Sequence, residues 1–267
     1  MFLAEFLLPL LVKMALTALI VVSASVAAER AGPAVGGVIL SLPVAAGPAY
    51  FFLALQAEDA FVAGSAFYSF AAQAATVLFI AAYARVAPRL GAAASLAAAT
   101  AVWFAVVLLA RALAAGWWAV LALNALAFVA AFPLAGRPRW PAGLGAVRPG
   151  RRDLALRALL AGGVVASVVS LSHVIGPAAT GFGLVYPVTL TTLGWIMHCR
   201  YGGEAAAALL AGSLRAMVGF VGFLAAMYFL AVPLGAGWAL LVAVGVSIAW
   251  ALLLLGMQPA APARSAG

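Results

Sequence analysis

The chain has 267 residues, 68% of them hydrophobic and only 7% charged, at a mean hydropathy of +1.21. A soluble domain carries about 25% charged residues, which excludes a soluble enzyme or binding domain. The net charge of +8 comes from 14 basic against 6 acidic residues. Loop placement in a membrane protein accounts for it, and nucleic acid is not an expected partner.

A span needs about 20 apolar residues to cross roughly 30 Å of hydrocarbon, so roughly nine spans consume the whole length. In chain order they are predicted over 4–27, 33–55, 61–84, 90–110, 115–135, 154–174, 178–199, 205–231 and 234–256. The breaks fall at polar or helix-breaking clusters such as Glu29 to Pro33, Glu58-Asp59, Arg85 to Arg89, Gly176-Pro177, Arg200 to Gly203 and Pro233 to Gly235. Residues 1–114 then form a first four-helix unit, and 115–153 a connector helix followed by a basic loop. Residues 154–257 form a second four-helix unit, and 258–267 a disordered tail.

With the N-terminus outside, 11 of the 14 basic residues lie on the cytoplasmic side, only Arg111 lies outside, and Lys13 and Arg215 fall within spans. This bias predicts a multi-pass protein of the cytoplasmic (inner) membrane, N-terminus out and C-terminus in. A cleaved signal peptide is not expected, because Glu5 is acidic, Lys13 interrupts the apolar run, and cleavage would invert the charge bias.

An internal repeat carries most of the functional information. Residues 32–44 align with 176–188 at a shift of 144, with seven of thirteen positions identical and both prolines matched. Lys13 then aligns with Arg157, Ser23 with Ser167, and Leu90-Gly91 with Leu234-Gly235. Spans one to four therefore correspond to spans six to nine around a single connector. The predicted fold class is an all-α membrane protein in a 4+1+4 inverted-topology repeat. Pro33 and Pro177 suit first helical turns. Pro43 and Pro187 fall about ten residues, or roughly 15 Å, into their spans, where proline removes a backbone hydrogen bond and frees a carbonyl. Paired, interrupted spans in inverted halves are similar in architecture to secondary transporters whose site lies at the break. The competing reading is a pair of packing kinks, with close helix contacts at Gly36, Gly37, Gly181 and Gly183.

The expected substrate-binding residues are Pro43, Ser41, Pro187, Tyr186, Thr189, Thr191, Thr192 and Arg215. Arg215 is placed about ten residues into span eight, where a guanidinium can hold a carboxylate or phosphate or else snorkel to the interface. The hydroxyls near Pro187, Thr180 included, can coordinate an ion or substrate, or bond their own helix. His173, after Ser170 and Ser172, and His198, beside Cys199, are candidates for proton coupling or plain interfacial residues. Lys13 and Arg157 read as interfacial anchors. Glu58 and Asp59 read as a solvated loop or as partners for a cation or Lys13. Gln56, Gln73 and Asn124 are amides that must find partners.

No Asp or Glu lies deep in any predicted span, which argues against a buried-carboxylate cation exchanger. HExxH, GxSxG and Walker A motifs are absent from the sequence, and the single cysteine, Cys199, rules out an intrachain disulfide or a cysteine-based metal site. An enzyme, a cofactor and a metal are not expected. The expected function is secondary-active transport of a small anionic or zwitterionic organic solute. A non-catalytic membrane subunit, an assembly factor or a lipid-handling flippase is the alternative. The expected partners are that solute, the lipid bilayer and, as an option, a second copy of the chain.

Overall fold

The computed structural model describes residues 2–30, 42–113, 116–137, 140–141 and 150–257. They form α1 (Phe2–Arg30), α2 (Ala46–Gln56), α3 (Asp59–Val86), α4 (Ala92–Leu113) and α5 (Trp117–Ala135). After the basic loop come α6 (Arg151–Ser170), α7 (Ser172–Val185), α8 (Val188–Gly212), α9 (Leu214–Leu234) and α10 (Ala236–Gly256). Ser41, Pro33, Gly36 and Gly37, together with the tail from 258 onward, lie outside the described residues.

The architecture is all-helical, as the composition requires. Among the described residues, seven helical stretches are long and apolar enough to cross a membrane, one of them the 63-residue stretch 172–234, which is broken internally. Large apolar side chains such as Leu8, Leu108, Leu126, Val129, Trp238 and Leu241 stay exposed on the outside of the bundle. In water these would be a liability; against lipid tails they cost nothing.

α3 is the central helix. Of its apolar stretch 78% is buried, against 11–50% in the other stretches, and it packs on α4, α5, α7, α8 and α9. Its alanines Ala66, Ala71, Ala72, Ala74 and Ala75 are fully buried, and such small side chains let helix backbones approach closely. Two helix pairs flank it: α1 with α6, and α9 with α10. One such close approach is at Gly181 of α7, where a Cβ would sit 2.3 Å from the Ser65 carbonyl oxygen. No other residue fits there.

Three hydroxyls on α3 stand seven residues apart, and that interval returns a helix to nearly the same face. Ser69 donates to the Gly181 carbonyl at 2.7 Å, Thr76 to Val185 at 3.2 Å, and Tyr83 to Gly194 at 3.0 Å. They bind the broken helix α7–α8 to the centre of the bundle.

The predicted span 178–199 starts earlier, at Ser172, because Gly176 (φ +76°) turns the chain ahead of Pro177 within α7. It then breaks at Tyr186-Pro187, as paired prolines require. The predicted span 205–231 is not continuous. A break at Ser213 divides it, and a second glycine kink, at Gly202, falls just ahead of it. The Ser213 hydroxyl and N–H both take the Leu210 carbonyl, while the Ser213 carbonyl receives the N–H groups of Ala216 and Met217 and starts a new helix.

Candidate functional site

The bundle has two ends. One, the first face, is where α2 and α6 finish and α3, α7 and α10 begin; the second face is opposite. A cavity of about 460 Å³ opens at the first face, lined by Pro9, Lys13, Gln56, Ala57, Glu58, Phe61, Ser170, Ser172 and His173. Its volume falls within the range of small-molecule sites, roughly 300–1,000 Å³.

Five elements build it. α1 carries Pro9 and Lys13. α2 ends at Gln56 because Ala57 and Glu58 leave helical dihedrals, which places Ala57 and Glu58 on the rim. α3 adds Phe61, α6 ends at Ser170, and α7 opens with Ser172 and His173. Helix ends leave unsatisfied carbonyls, and Gln56 uses one: its Nε2 donates to Val169 O at 2.5 Å and to Ser172 Oγ at 3.2 Å. With its N–H group so engaged, the Gln56 amide turns Oε1 toward Lys13, which donates to it at 2.7 Å.

Lys13 also donates to Ser170 Oγ at 3.2 Å. An ammonium has three N–H donors, so one remains for the cavity. Neither neighbour neutralises its charge, and among the described residues the ion pair that forms is Asp153–Arg200, far along the bundle. A cation in this setting, held by neutral groups and facing an open cavity, can attract a group of negative charge. Sequence reading treats Lys13 as an anchor and Gln56 as an amide in need of a partner. The signal for their joint role, the shared dependence on α6, lies 113 to 157 residues away in the chain.

Of the expected coupling residues, His173 is in this cavity. His198 is at the second face, 3.0 Å from the Tyr83 hydroxyl through Nδ1. The same Tyr83 hydroxyl lies 3.0 Å from the Gly194 carbonyl, so one side chain of α3 meets both the imidazole and a backbone carbonyl of α8. Asp59 forms no ion pair with Lys13 among the described residues; its Oδ1 accepts the Ala236 N–H at 2.7 Å and caps α10. Gln73 is fully buried, and its amide atoms meet no hydrogen-bond partner among the described residues. Asn124 binds helices together by donating to the Phe70 and Val120 carbonyls.

The residues expected to bind substrate around Pro187 do not line the cavity. Thr191 donates to the Pro187 carbonyl at 2.9 Å, Thr192 to those of Val188 and Thr189 at 3.0 Å, and Thr180 to Gly176 at 2.7 Å. Each serves its own helix, as a hydroxyl three or four residues beyond a helical carbonyl commonly does. Thr189 is half-buried beside them. The Tyr186 ring packs edge-on against Trp103 at 5.1 Å. Pro43 is half-buried just before α2. Arg215 is corrected most: the break at Ser213 makes it the second residue of α9, exposed, with its carbonyl accepting Trp250 Nε1 at 3.0 Å.

At the second face an ion pair joins the start of α6 to α8. Arg200 grips Asp153 through two contacts, 2.7 and 3.0 Å, and Asp153 also accepts the Gly150 N–H at 2.8 Å. Comparison with models of protein families, with curated proteins and with solved structures finds no match.

Proposed function

We propose that this chain is a secondary-active transporter of a small anionic or zwitterionic organic solute, working by alternating access across the cytoplasmic membrane. The observation that carries the reading is Lys13, a cation without a carboxylate partner among the described residues, held by Gln56 and Ser170 at the wall of an open cavity. On the charge bias of the loops, the first face is external and Asp153–Arg200 lies on the cytoplasmic side. The arrangement then corresponds to an outward-facing state, open at Lys13 and tied at the other end.

The repeat supports the same reading. Ala92 and Ala236, the first residues of α4 and α10, stand 144 positions apart, the shift of the sequence repeat. α2 and α8 both begin just after the paired prolines, Pro43 and Pro187. α1 packs on its counterpart α6, and α3 on α9. Binding sites at the junction of inverted repeats are the rule for this class of architecture, and the cavity draws on α1 from one half and on α6 and α7 from the other.

The test is uptake of radiolabelled small carboxylates and amino acids into proteoliposomes. Wild-type vesicles are expected to accumulate at least one of these probes above protein-free vesicles, and Lys13→Gln vesicles to lose that accumulation. Wild-type vesicles that take up no probe above the protein-free control would overturn the proposal.

A further inference from the structure

The cavity holds a second fixed charge. Glu58 lines it with Lys13, sits exposed at the start of α3, and forms no ion pair among the described residues. As the residue immediately before a helix, it is in the position where the helix dipole favours a negative charge. One wall therefore presents an ammonium and the rim a carboxylate, and the two do not neutralise each other by direct contact.

A simple anion drawn to Lys13 would also meet the field of Glu58. Like charge on the rim opposes its entry. A molecule carrying both signs turns that penalty into attraction. The same cavity is lined by the hydroxyls of Ser170 and Ser172, which accept from Lys13 and Gln56 and have their own O–H groups to donate to an anionic oxygen. Pro9, Ala57 and Phe61 complete the lining with apolar surface. The cavity thus supplies donors and a cation for an anionic group, a carboxylate for an ammonium, and an apolar wall for a small substituent.

We infer that the ligand of this cavity is a soluble zwitterion of amino-acid size, its carboxylate on Lys13 and Ser170 and its ammonium toward Glu58. This inference rests on the transport reading for its biological meaning but concerns binding alone. A phospholipid headgroup also carries an ammonium and an anion, and the experiment separates the two sources.

The measurement is thermal unfolding of the purified protein in an uncharged detergent with L-alanine, propionate, propylamine or phosphatidylethanolamine. L-alanine is expected to raise the melting temperature in a saturable way, with propionate and propylamine weaker by at least about tenfold in apparent affinity. Glu58→Gln should weaken L-alanine binding by about tenfold and strengthen the propionate response, since the like charge on the rim is gone; Lys13→Gln should abolish both responses. Equal binding of propionate and L-alanine, insensitive to Glu58→Gln, would overturn the zwitterion inference while leaving the Lys13 site standing. L-alanine binding that survives Lys13→Gln would overturn the site itself. A response to phosphatidylethanolamine with none to L-alanine would overturn the soluble ligand. Because Glu58 is exposed, its variant tests the inference even if the Lys13 variant fails to fold. Binding as expected without uptake into proteoliposomes would refute transport and leave this inference intact.

Discussion

The hydrogen-bond relay at the centre of the bundle makes a quantitative prediction. The Tyr50 hydroxyl donates to Ser69 Oγ at 2.8 Å, and Ser69 donates onward to the Gly181 carbonyl at 2.7 Å. Tyr50 and Ser69 are both fully buried. Ser69→Ala therefore strands a hydroxyl that no water reaches, at about 1–3 kcal/mol, and removes a bond from the Gly181 carbonyl at about 1 kcal/mol. Gly181 sits inside α7, where a carbonyl's own helix is its first partner, so its loss is the smaller of the two. The total is about 2–4 kcal/mol. Tyr50→Phe keeps the ring, which packs edge-on against Phe223 at 5.8 Å, and leaves the Ser69–Gly181 bond intact. It should cost only about 0.5–1.5 kcal/mol. In the Tyr50→Phe background there is no hydroxyl to strand, so Ser69→Ala should cost about 1–3 kcal/mol less than it does alone. The cycle is measured by equilibrium unfolding of the four proteins in mixed micelles with rising sodium dodecyl sulfate. Hydrogen-bond couplings inside membrane proteins average about 0.6 kcal/mol, so a coupling above 1 kcal/mol would mark this relay as unusually dry. Energies that add to within about 0.3 kcal/mol would refute the reasoning.

Three further changes test other parts of the structure. Gly181→Ala places a methyl group 2.3 Å from the Ser65 carbonyl oxygen and 2.9 Å from the Ser69 nitrogen. Both are backbone atoms of the central helix, so the expected loss is about 1–3 kcal/mol in the same unfolding assay, and a neutral result would contradict the close approach of α7 to α3. Asp59→Ala removes the cap of α10 and should cost about 0.5–2 kcal/mol, with Asp59→Asn recovering most of it because an amide oxygen still accepts the Ala236 N–H; equal losses in the two variants would argue against capping. At the second face the side chain of Arg200 is 42% exposed and that of Asp153 only 9%. Arg200→Ala should thus cost about 1 kcal/mol, in keeping with a solvent-screened pair. Asp153→Ala should cost more, because it also removes the acceptor for the Gly150 N–H. Melting curves that rank the two in the opposite order would contradict this account.

Much of the architecture was legible in one dimension. An apolar composition with few charges forces helices in a membrane, because lipid offers backbone groups no alternative partner. Glycine and proline clusters mark where those helices stop, and Pro187, Gly176 and Leu234-Gly235 interrupt the chain where local chemistry says they should. The break at Ser213 was not legible, since a serine within an apolar run is as readily a helical residue as a terminator, and it alone moves Arg215 from mid-helix to a helix end.

The sequence by itself determined the all-helical class, the apolar surface presented to lipid, most helix limits and the short inventory of polar residues available for chemistry. The tertiary structure decided which of these meet. Lys13, Gln56, Glu58, Ser170, Ser172 and His173 share a cavity because α1 packs on α6 and α2 ends against both. The hydroxyls around Pro187 do not share it, because each found its own helix backbone first. The physical reason is one of range. Helix formation and helix breaking are fixed by residues three or four apart, whereas a site made at the ends of several helices depends on which faces pack together. In lipid, that choice is made by small residues and buried hydrogen bonds rather than by hydrophobicity, which every face of every helix shares.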